Sequence, residues 1–334
     1  MKVAVKKGRS VNVVDRELSE VGPGEIKIKI LACGICGTDL LENSNQPEQE
    51  SEFGHEMVGK ILEIGECVSG LTLGDQVVIE SSSACGRCEN CRNAQQELCT
   101  DVRSFFMKGT FGFAEEAIVP AISAIPFEDL SPEVACLSEP LGVAIDMVRL
   151  ADIKLGSNVL IMGPGPIGLM AVALAKRSGA SKIFVSGTSR RPVRAEIARQ
   201  FGADAVIYVD KENLRDYNFN CKIDRILHTT APDTLEDAFA IATKGAIISF
   251  IGIAYGERGF CKVDVNDFHF KKLQLRASFA SPALFTPCAL EYLRQGVVDG
   301  EALISHRFTL EDIEEGMNIA RSDPSALKVI ITGA

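Results

Sequence analysis

The segment NVLIMGPGPIGLMAVALAKRSGA, residues 158–180, constrains the fold of this chain most strongly. Four of its first five residues are apolar and predict a strand, and the stretch that begins at Pro166 predicts a helix that ends near Gly179. The glycines between them have the G-x-G-x-x-G spacing, which lets a backbone approach a dinucleotide pyrophosphate at a helix N-terminus. A glycine-rich turn without a ligand is the alternative. The predicted cofactor-binding residues of this turn are Gly163, Gly165, Pro166, Ile167 and Gly168.

Predicted strands and helices alternate from near residue 140 to about residue 277, an order typical of a doubly wound parallel sheet. The first third of the chain instead contains short alternating runs such as EIKIKI (25–30) and MVGKILEIG (57–65), separated by Gly and Pro turns. This pattern favours a barrel-like β domain. The final strand, LKVIITG (327–333), predicts a C-terminal segment that rejoins the first domain.

Four cysteines lie close together with the spacing C-x2-C-x2-C-x7-C, at Cys85, Cys88, Cys91 and Cys99. Four thiolates at this spacing can surround one tetrahedral zinc ion, in a closed site that stabilises a lobe and does no chemistry. An iron–sulfur cluster is the competing interpretation, but its usual run continues with a shorter gap and a Cys-Pro pair. The other cysteines occur singly, and five of them are predicted to be small buried apolar residues: Cys67, Cys136, Cys221, Cys261 and Cys288.

The second strand of a dinucleotide fold commonly ends in an acid, about 20 residues after the glycines, that binds the ribose 2′-hydroxyl. Here that position is Gly187, and no Asp or Glu occurs between residues 169 and 195. The missing carboxylate and the neighbouring arginines favour a 2′-phosphate and therefore NADP, whereas Thr188 or Ser189 binding the hydroxyls of NAD is the alternative. The residues predicted to contact the cofactor here are Gly187, Thr188, Ser189, Arg190 and Arg194, and Arg191 adds a further positive charge.

A second set of donors is spread over the first part of the chain. Cys36, His55, Glu56 and Glu139 offer sulfur, nitrogen and oxygen atoms, which together suit zinc with an open coordination position. A single histidine beside a strand is more often a core or surface residue, so this prediction depends on the co-occurrence of the dinucleotide motif and the cysteine cluster.

Composition excludes several classes of function. The chain carries a formal net charge of −10, so it has no electrostatic attraction to nucleic acid or to an anionic membrane surface. The longest apolar stretch is interrupted by glycines and prolines and predicts no membrane span. The N-terminal residues lack the apolar run of a secretory signal, so we expect a cytoplasmic protein.

These motifs occur in an order that resembles the zinc-dependent medium-chain alcohol dehydrogenases. The resemblance rests on CGICGTD, FGHE, the four-cysteine segment, LSEPLGVAI and GPGPIGLMAVALAKRSGA, and it is strongest to the polyol branch, which includes sorbitol and threonine dehydrogenases. It implies a GroES-like β-barrel catalytic domain, residues 1–144 plus 278–334, with a structural-zinc lobe at 81–100. It also implies an inserted Rossmann domain, residues 145–277, and a homodimer or homotetramer.

The resemblance also implies residue roles. Cys36, His55 and Glu56 match the catalytic zinc ligands, and Glu139 matches a glutamate that binds this zinc directly or through water. Thr38 matches the hydroxyl that begins the proton relay. The four clustered cysteines match the structural zinc site, which gives two zinc ions per chain.

The chain departs from the family where a relay histidine often follows the C-G-T-D motif, because Leu40 and Leu41 stand there. The proton must then leave through the cofactor ribose and water, or through Glu56 or Glu139. The expected reaction is hydride transfer between a nicotinamide cofactor and a secondary alcohol or ketone of a polyol, cyclitol or sugar derivative. An amino alcohol such as threonine is the alternative substrate, and a non-catalytic NADPH-binding redox sensor is the alternative from another class.

One further expectation concerns the surroundings of the substrate. The segment RSFFMKGTFGFAEE contains three phenylalanines that either line the substrate cleft or pack in the core: Phe105, Phe106 and Phe111.

Overall fold

The computed structural model describes residues 1–40, 50–104 and 111–333. The chain divides into two compact units, one formed by Met1–Gly142 together with the segment from Ala280 onward, and one formed by Val143–Phe279. Strands and helices are numbered in chain order, and each unit is described separately. No helix in these three ranges has the length and apolar character that crossing a bilayer requires.

The first unit is built on a mixed sheet with the strand order β15-β16-β3-β5-β6-β8, in which β7 also pairs with β3. A smaller sheet has the order β2-β1-β4. The strands of this unit are β1 (Lys2–Lys7), β2 (Ser10–Asp15), β3 (Glu25–Gly34), β4 (Ser51–Glu52), β5 (Glu56–Ile64), β6 (Gln76–Ile79), β7 (Glu116–Pro120), β8 (Ala124–Pro126), β15 (Ile304–Thr309) and β16 (Lys328–Thr332). Its helices are α1 (Glu89–Arg92), α2 (Pro132–Ala135), α8 (Thr286–Arg294), α9 (Gly300–Leu303) and α10 (Ile313–Ser322), and α3 (Ser138–Leu150) begins here and continues into the second unit.

The C-terminal segment completes the first unit, as the sequence predicts. β16 pairs antiparallel with β3, so Ile331 lies opposite Cys33, and β15 pairs parallel with β16. The alternation of β3, with Ile26, Ile28 and Ile30 all buried, supplies one face of the core of this unit. Apolar residues of β5, β6, β16 and α10 pack on the same core.

The second unit is a six-stranded parallel sheet with the order β11-β10-β9-β12-β13-β14, and this confirms the Rossmann-type fold. Its strands are β9 (Asn158–Met162), β10 (Lys182–Gly187), β11 (Ala205–Tyr208), β12 (Arg225–His228), β13 (Ile247–Phe250) and β14 (Gln274–Ala277). Its helices are α4 (Pro166–Arg177), α5 (Pro192–Gln200), α6 (Leu235–Ile241) and α7 (Val265–Lys271). The strand order reverses next to β9, so the glycine-rich turn after β9 lies where such folds bind nucleotides.

All eleven cysteines are unpaired. Cys136 is buried as the sequence predicts, whereas Cys67 is exposed in a turn with φ +63°, so the prediction of a buried residue is wrong there. The other three singly placed cysteines are only partly buried. Cys67 lies in the turn between the end of β5 and the start of β6, so it has no place in a strand that would bury it.

A buried histidine lies in the second unit at the carboxyl end of β12. His228 is 0% exposed, and its Nε2 lies 2.7 Å from Thr234 Oγ1 and 3.1 Å from Thr230 Oγ1. Burial lowers the pKa of His228 to about 4, because an imidazolium here would lose its hydration, and Asp233 and Asp237 only partly oppose the effect. The folded state therefore holds this ring neutral.

This pKa predicts a pH-dependent loss of stability. In the unfolded chain the ring binds a proton below about pH 6.5, whereas the folded state resists protonation until about pH 4. The neutral ring of His228 therefore makes its full contribution to the free energy of unfolding above pH 6.5. This contribution is lost as the pH falls to about 4, by roughly 3 kcal/mol in total. We expect His228→Gln to reduce the pH dependence of the free energy of unfolding over this window, measured by urea titration. An identical slope in wild type and variant would contradict the assignment.

Candidate active site and cofactor site

The first unit brings three of the predicted zinc ligands together. Cys36 follows the end of β3 by two residues, and His55 directly precedes β5, which pairs antiparallel with β3 so that Gly34 lies opposite Glu56. The ligand atoms of Cys36, His55 and Glu56 all lie within 4.8 Å of one another. Strand pairing thus converts two sequence motifs about twenty residues apart into one cluster.

Two glycines make room for this cluster. Gly54 has φ +98°, and a Cβ there would meet the ring of Phe113 at 2.6 Å, so only glycine lets the chain turn into His55 at this point. A Cβ at Gly34 would collide with the Glu56 carboxylate. The glycines of C-G and G-H-E are therefore part of the geometry that holds the candidate ligands.

The remaining predicted residues of this site lie nearby with different environments. Thr38 is exposed in the turn that follows Cys36. Glu139, in the first turn of α3, is outside the close three-residue set, but its carboxylate raises the pKa of His55. Burial raises the pKa of Glu139 to about 7, with His55 opposing and Glu56 reinforcing the shift.

The electrostatics of the cluster suit a divalent cation. Burial lowers the pKa of His55, but the hydrogen bond with Cys36 and the carboxylates of Glu139 and Asp39 outweigh it and raise that pKa well above its usual range. Apart from the ammonium group of Lys328, no hydrogen-bond donor within the described residues lies against the buried Glu56 Oε2. Thiolate, imidazole and carboxylate donors in this arrangement fit zinc, and Cys36, His55 and Glu56 are the residues that could hold it.

Lys328, which no sequence motif indicates as a site residue, is 2% exposed and lies on β16. Its ammonium group donates to Glu56 Oε1 at 2.5 Å and to the Ile35 carbonyl at 3.0 Å, and it also contacts Glu56 Oε2. Glu56 itself is 1% exposed, so this is a fully buried ion pair. The only signal in the sequence was a lysine within the apolar strand LKVIIT, where every second residue faces a core.

Asp39 and Lys6 support the same site from the other side. Asp39 Oδ2 accepts from the Cys36 backbone N–H at 2.8 Å, and its Oδ1 lies 3.7 Å from His55 Nδ1. Lys6 donates to the Asp39 carbonyl at 2.7 Å and lies 5.8 Å from the centroid of the Phe53 ring. A carboxylate that orients a ligand histidine is the common supporting arrangement at metal sites.

The positions that bear on the proton path and on the substrate wall are only partly described. Leu40, at the place of the missing relay histidine, is half-buried and packs against the core of the first unit, whereas Leu41 lies outside the described residues. Phe111 also packs against this core, and Phe105 and Phe106 lie outside the described residues.

The four clustered cysteines form a second candidate metal site. Their sulfur atoms lie within 4.8 Å of one another around the short helix α1. Backbone N–H groups already point at the sulfurs, since Cys88 N donates to Cys85 Sγ at 3.3 Å and Cys85 N donates to Cys99 Sγ at 3.4 Å. Gly86, with φ +71°, makes the turn between the first two cysteines. Backbone hydrogen bonds lower the pKa of the Cys88 thiol to about 6, which favours the thiolate that a zinc ion requires.

The glycine-rich turn in the second unit has the shape that a dinucleotide needs. Gly163 has φ +105°, and a Cβ there would meet Thr229 Oγ1 at 2.5 Å, while a Cβ at Gly168 would collide with the Gly163 carbonyl. At Gly165, the N-cap of α4, nothing lies within 4 Å of a Cβ position. Protein atoms therefore fill the space beside the first and third glycines. The space beside the second glycine is open and forms a cradle at a helix N-terminus that fits a pyrophosphate. Pro166 and Ile167 form the first turn of α4 below it.

The turn after β10 contains the predicted ribose residues. A Cβ at Gly187 would meet Pro164 Cγ at 2.6 Å, so the turns after β9 and β10 are in close contact. Thr188 and Arg190 are exposed, and Arg194 is half-buried on α5. Burial, followed by the nearby charge of Arg191, lowers the pKa of the Arg194 guanidinium to about 10. Ser189 binds Asp210, a residue that the sequence analysis did not consider.

Known proteins match both units. Residues 22–129 match the family model for the alcohol dehydrogenase GroES-like domain, and residues 166–293 match that for the zinc-binding dehydrogenase. The chain is 32% identical over 348 aligned residues to an L-threonine 3-dehydrogenase from Rhizobium etli, with 99% of this chain and 98% of the relative covered.

Solved structures are also similar to this chain over almost its whole length. An alcohol dehydrogenase from Escherichia coli CFT073 complexed with NADH superposes with a TM-score of 0.89 at 25% identity, covering 99% of each chain. A zinc-binding dehydrogenase from Sinorhizobium meliloti 1021 bound to NADP gives a TM-score of 0.87 at 25% identity, covering 99% of this chain and 98% of the other. The chain belongs to the zinc-dependent medium-chain alcohol dehydrogenase family, and it is an NAD(P)-dependent oxidoreductase that acts on CH–OH groups.

The buried Glu56–Lys328 pair leads to a prediction about the metal-free protein. Replacing Lys328 with Met leaves the Glu56 carboxylate buried without its counter-ion, so we expect a loss of about 3–5 kcal/mol in the free energy of unfolding after treatment with a chelator. Zinc supplies positive charge to the same carboxylate, so the loss should be smaller when zinc is present. Lys328→Arg keeps the charge and is the matched control. An equal loss with and without zinc would show that Lys328 does not share Glu56 with the metal site.

Proposed function

We propose that this protein transfers a hydride between NAD(P) and a secondary alcohol or ketone of a polyol, cyclitol or sugar-derived substrate. The proposal assigns residues 1–144 plus 278–334 as the catalytic domain and residues 145–277 as the dinucleotide-binding domain, bounds that differ by two residues from those of the two compact units. The clustered donor atoms of Cys36, His55 and Glu56 are the observation that carries it, because they fit an open zinc site in a chain that also contains a dinucleotide cradle.

A second candidate substrate has its own support. The Rhizobium etli relative, which is similar along almost the whole chain, is an L-threonine 3-dehydrogenase. Oxidation of an amino alcohol at a secondary carbon needs the same metal site and cofactor, so the substrates differ in what binds the flanking groups.

In the proposed mechanism, zinc and the nicotinamide cofactor supply the chemistry when bound, and the residues of the chain hold the metal and accept the proton. When bound, zinc polarises the substrate oxygen and lowers the pKa of the alcohol, and the nicotinamide ring exchanges the hydride with carbon. Cys36, His55 and Glu56 would hold the metal, and Glu139 would bind it directly or through water. The exposed Thr38 hydroxyl, two residues after Cys36, takes the substrate proton.

The route by which the proton leaves is then restricted by Lys328. Glu56 is fixed by the buried ammonium group, which contacts both of its carboxylate oxygens, so Glu56 is poorly placed to carry a proton away. We assign proton release to the cofactor ribose and water, or to Glu139, which is half-buried and whose pKa is raised by burial to about 7.

The proposal includes two zinc ions per chain, NADP favoured over NAD, and a cytoplasmic location. Arg190 and Arg194 beside the ribose turn support the preference for the 2′-phosphate. Eleven cysteines without a disulfide bond, ten of them outside the candidate catalytic site, suit a compartment that keeps thiols reduced.

The decisive experiment is an oxidation assay with a panel of polyols, cyclitols and L-threonine, each with NAD⁺ and NADP⁺, followed by absorbance of the reduced nicotinamide. We expect turnover with members of one substrate class and two zinc ions per chain by elemental analysis. Cys36→Ser should lose one zinc and reduce kcat by at least about a hundredfold, because it removes a ligand of the polarising metal.

The matched control for that variant is Cys67→Ser, since Cys67 is exposed and belongs to neither metal cluster. It should keep both zinc ions and full turnover. Full activity and metal content in Cys36→Ser would refute the proposed site, and activity on no member of the panel would refute the proposed substrate classes.

We also propose that the chain assembles into a homodimer or homotetramer. β14 is an edge strand of the parallel sheet, and residues 253–279 near it expose several large apolar side chains, namely Ile253, Tyr255, Phe260, Val265, Phe270, Leu275 and Phe279. An open edge with exposed apolar side chains suits pairing with the same strand of a second copy. Such pairing about a twofold axis would give hydrogen-bond partners to the backbone groups of both edge strands.

This assembly can be tested at the edge strand. Leu275→Lys places a charge on β14, so we expect a shift to monomer in light scattering coupled to size-exclusion chromatography. Leu155→Lys is the control, because Leu155 is 93% exposed in the same unit but lies before β9 and away from the edge. An unchanged mass in Leu275→Lys would place the interface elsewhere.

A further inference from the structure

An acidic side chain reaches the ribose turn from a neighbouring strand. β10 and β11 run parallel with Gly187 opposite Tyr208, and the Val209 N–H donates to the Gly187 carbonyl at 3.0 Å. Asp210, two residues after β11, therefore lies beside the turn that follows β10. A search along β10 alone could not find this carboxylate, because it is more than twenty residues further along the chain.

The contact is made by both carboxylate oxygens. The Ser189 backbone N–H donates to Asp210 Oδ1 at 2.8 Å, and the Ser189 hydroxyl donates to Asp210 Oδ2 at 2.7 Å. These hydrogen bonds, the hydroxyl one first, lower the pKa of Asp210, so the group is ionised at neutral pH. Both hydrogen-bond donors of Ser189 are consequently engaged by an anion.

The two nicotinamide dinucleotides differ in what they require at this turn. The 2′-hydroxyl of NAD can donate a hydrogen bond to Ser189 Oγ or to the Asp210 carboxylate. The 2′-phosphate of NADP carries negative charge and needs donors, whereas Ser189 has none left and Asp210 repels it. The pair thus suits the hydroxyl and opposes the phosphate.

We propose that Asp210 is a specificity-determining residue that weakens the binding of NADP relative to NAD. This inference rests on the proposed function, in which the second unit binds a nicotinamide dinucleotide. It places two opposing charges at one turn: Arg190 and Arg194 attract the 2′-phosphate, and Asp210 limits that attraction. Removing the carboxylate should therefore strengthen the preference for NADP.

Binding measurements on the zinc-loaded enzyme test this inference. Dissociation constants for NADH and NADPH are measured by the fluorescence of the reduced nicotinamide in wild type, Asp210→Asn and Asp210→Ser. We expect the ratio of the NADPH constant to the NADH constant to fall about tenfold in both variants, because both remove one like charge near the phosphate. The difference from wild type should shrink as the salt concentration rises.

Glu212→Gln is the matched control, because it removes one negative charge from an exposed residue two positions away that has no contact with Ser189 among the described residues. Its ratio should stay within about twofold of wild type. Equal changes in both dissociation constants would make Asp210 a purely structural support and overturn the inference. A shift of the same size in Glu212→Gln would also overturn it, since net charge alone would then account for the effect.

The outcome for wild type separates this inference from the proposed function. If wild type binds neither NADH nor NADPH, the proposed function fails. If wild type binds a dinucleotide but neither Asp210 variant changes the ratio, only the role of Asp210 fails.

Discussion

The buried ion pair between Glu56 and Lys328 is the interaction on which the candidate metal site depends. It joins β5, near the start of the chain, to β16, near its end, and its ammonium group also binds the carbonyl of Ile35 beside Cys36. A carboxylate that is 1% exposed needs a counter-charge, since burying it alone would cost several kcal/mol. Lys328 therefore allows an acidic ligand set to exist in the folded protein before any metal arrives.

The geometry around this pair explains why the ligand segments hold their positions. Lys6 binds the Asp39 carbonyl on one side of Cys36, and Lys328 binds the Ile35 carbonyl on the other. Both lysines are buried, so each is fixed by its partners instead of sampling many rotamers in solvent. Two lysines from strands at opposite ends of the sequence thus fix the turn that presents Cys36 and Thr38.

Sequence patterns predicted the parts of the site that are local and missed those that are not. The glycine-rich turn, the cysteine cluster and the G-H-E motif each lie within about twenty residues, so spacing alone carries their geometry. Lys328 and Asp210 act across strand pairs that no spacing rule connects to their partners Glu56 and Ser189. No acid follows β10 in the next turn, and the carboxylate that contacts Ser189 comes from the segment after β11, because parallel strands end at the same edge of the sheet.

The connectivity of the first unit has a consequence for how it is made. The second unit is one continuous stretch, Val143–Phe279, so all of its strands are synthesised before β15 and β16. The first sheet, in contrast, lacks two neighbouring strands until β15 and β16 are translated after the second unit. During synthesis, the Glu56 carboxylate therefore lacks its counter-ion until Lys328, which is encoded 272 codons later, has been translated.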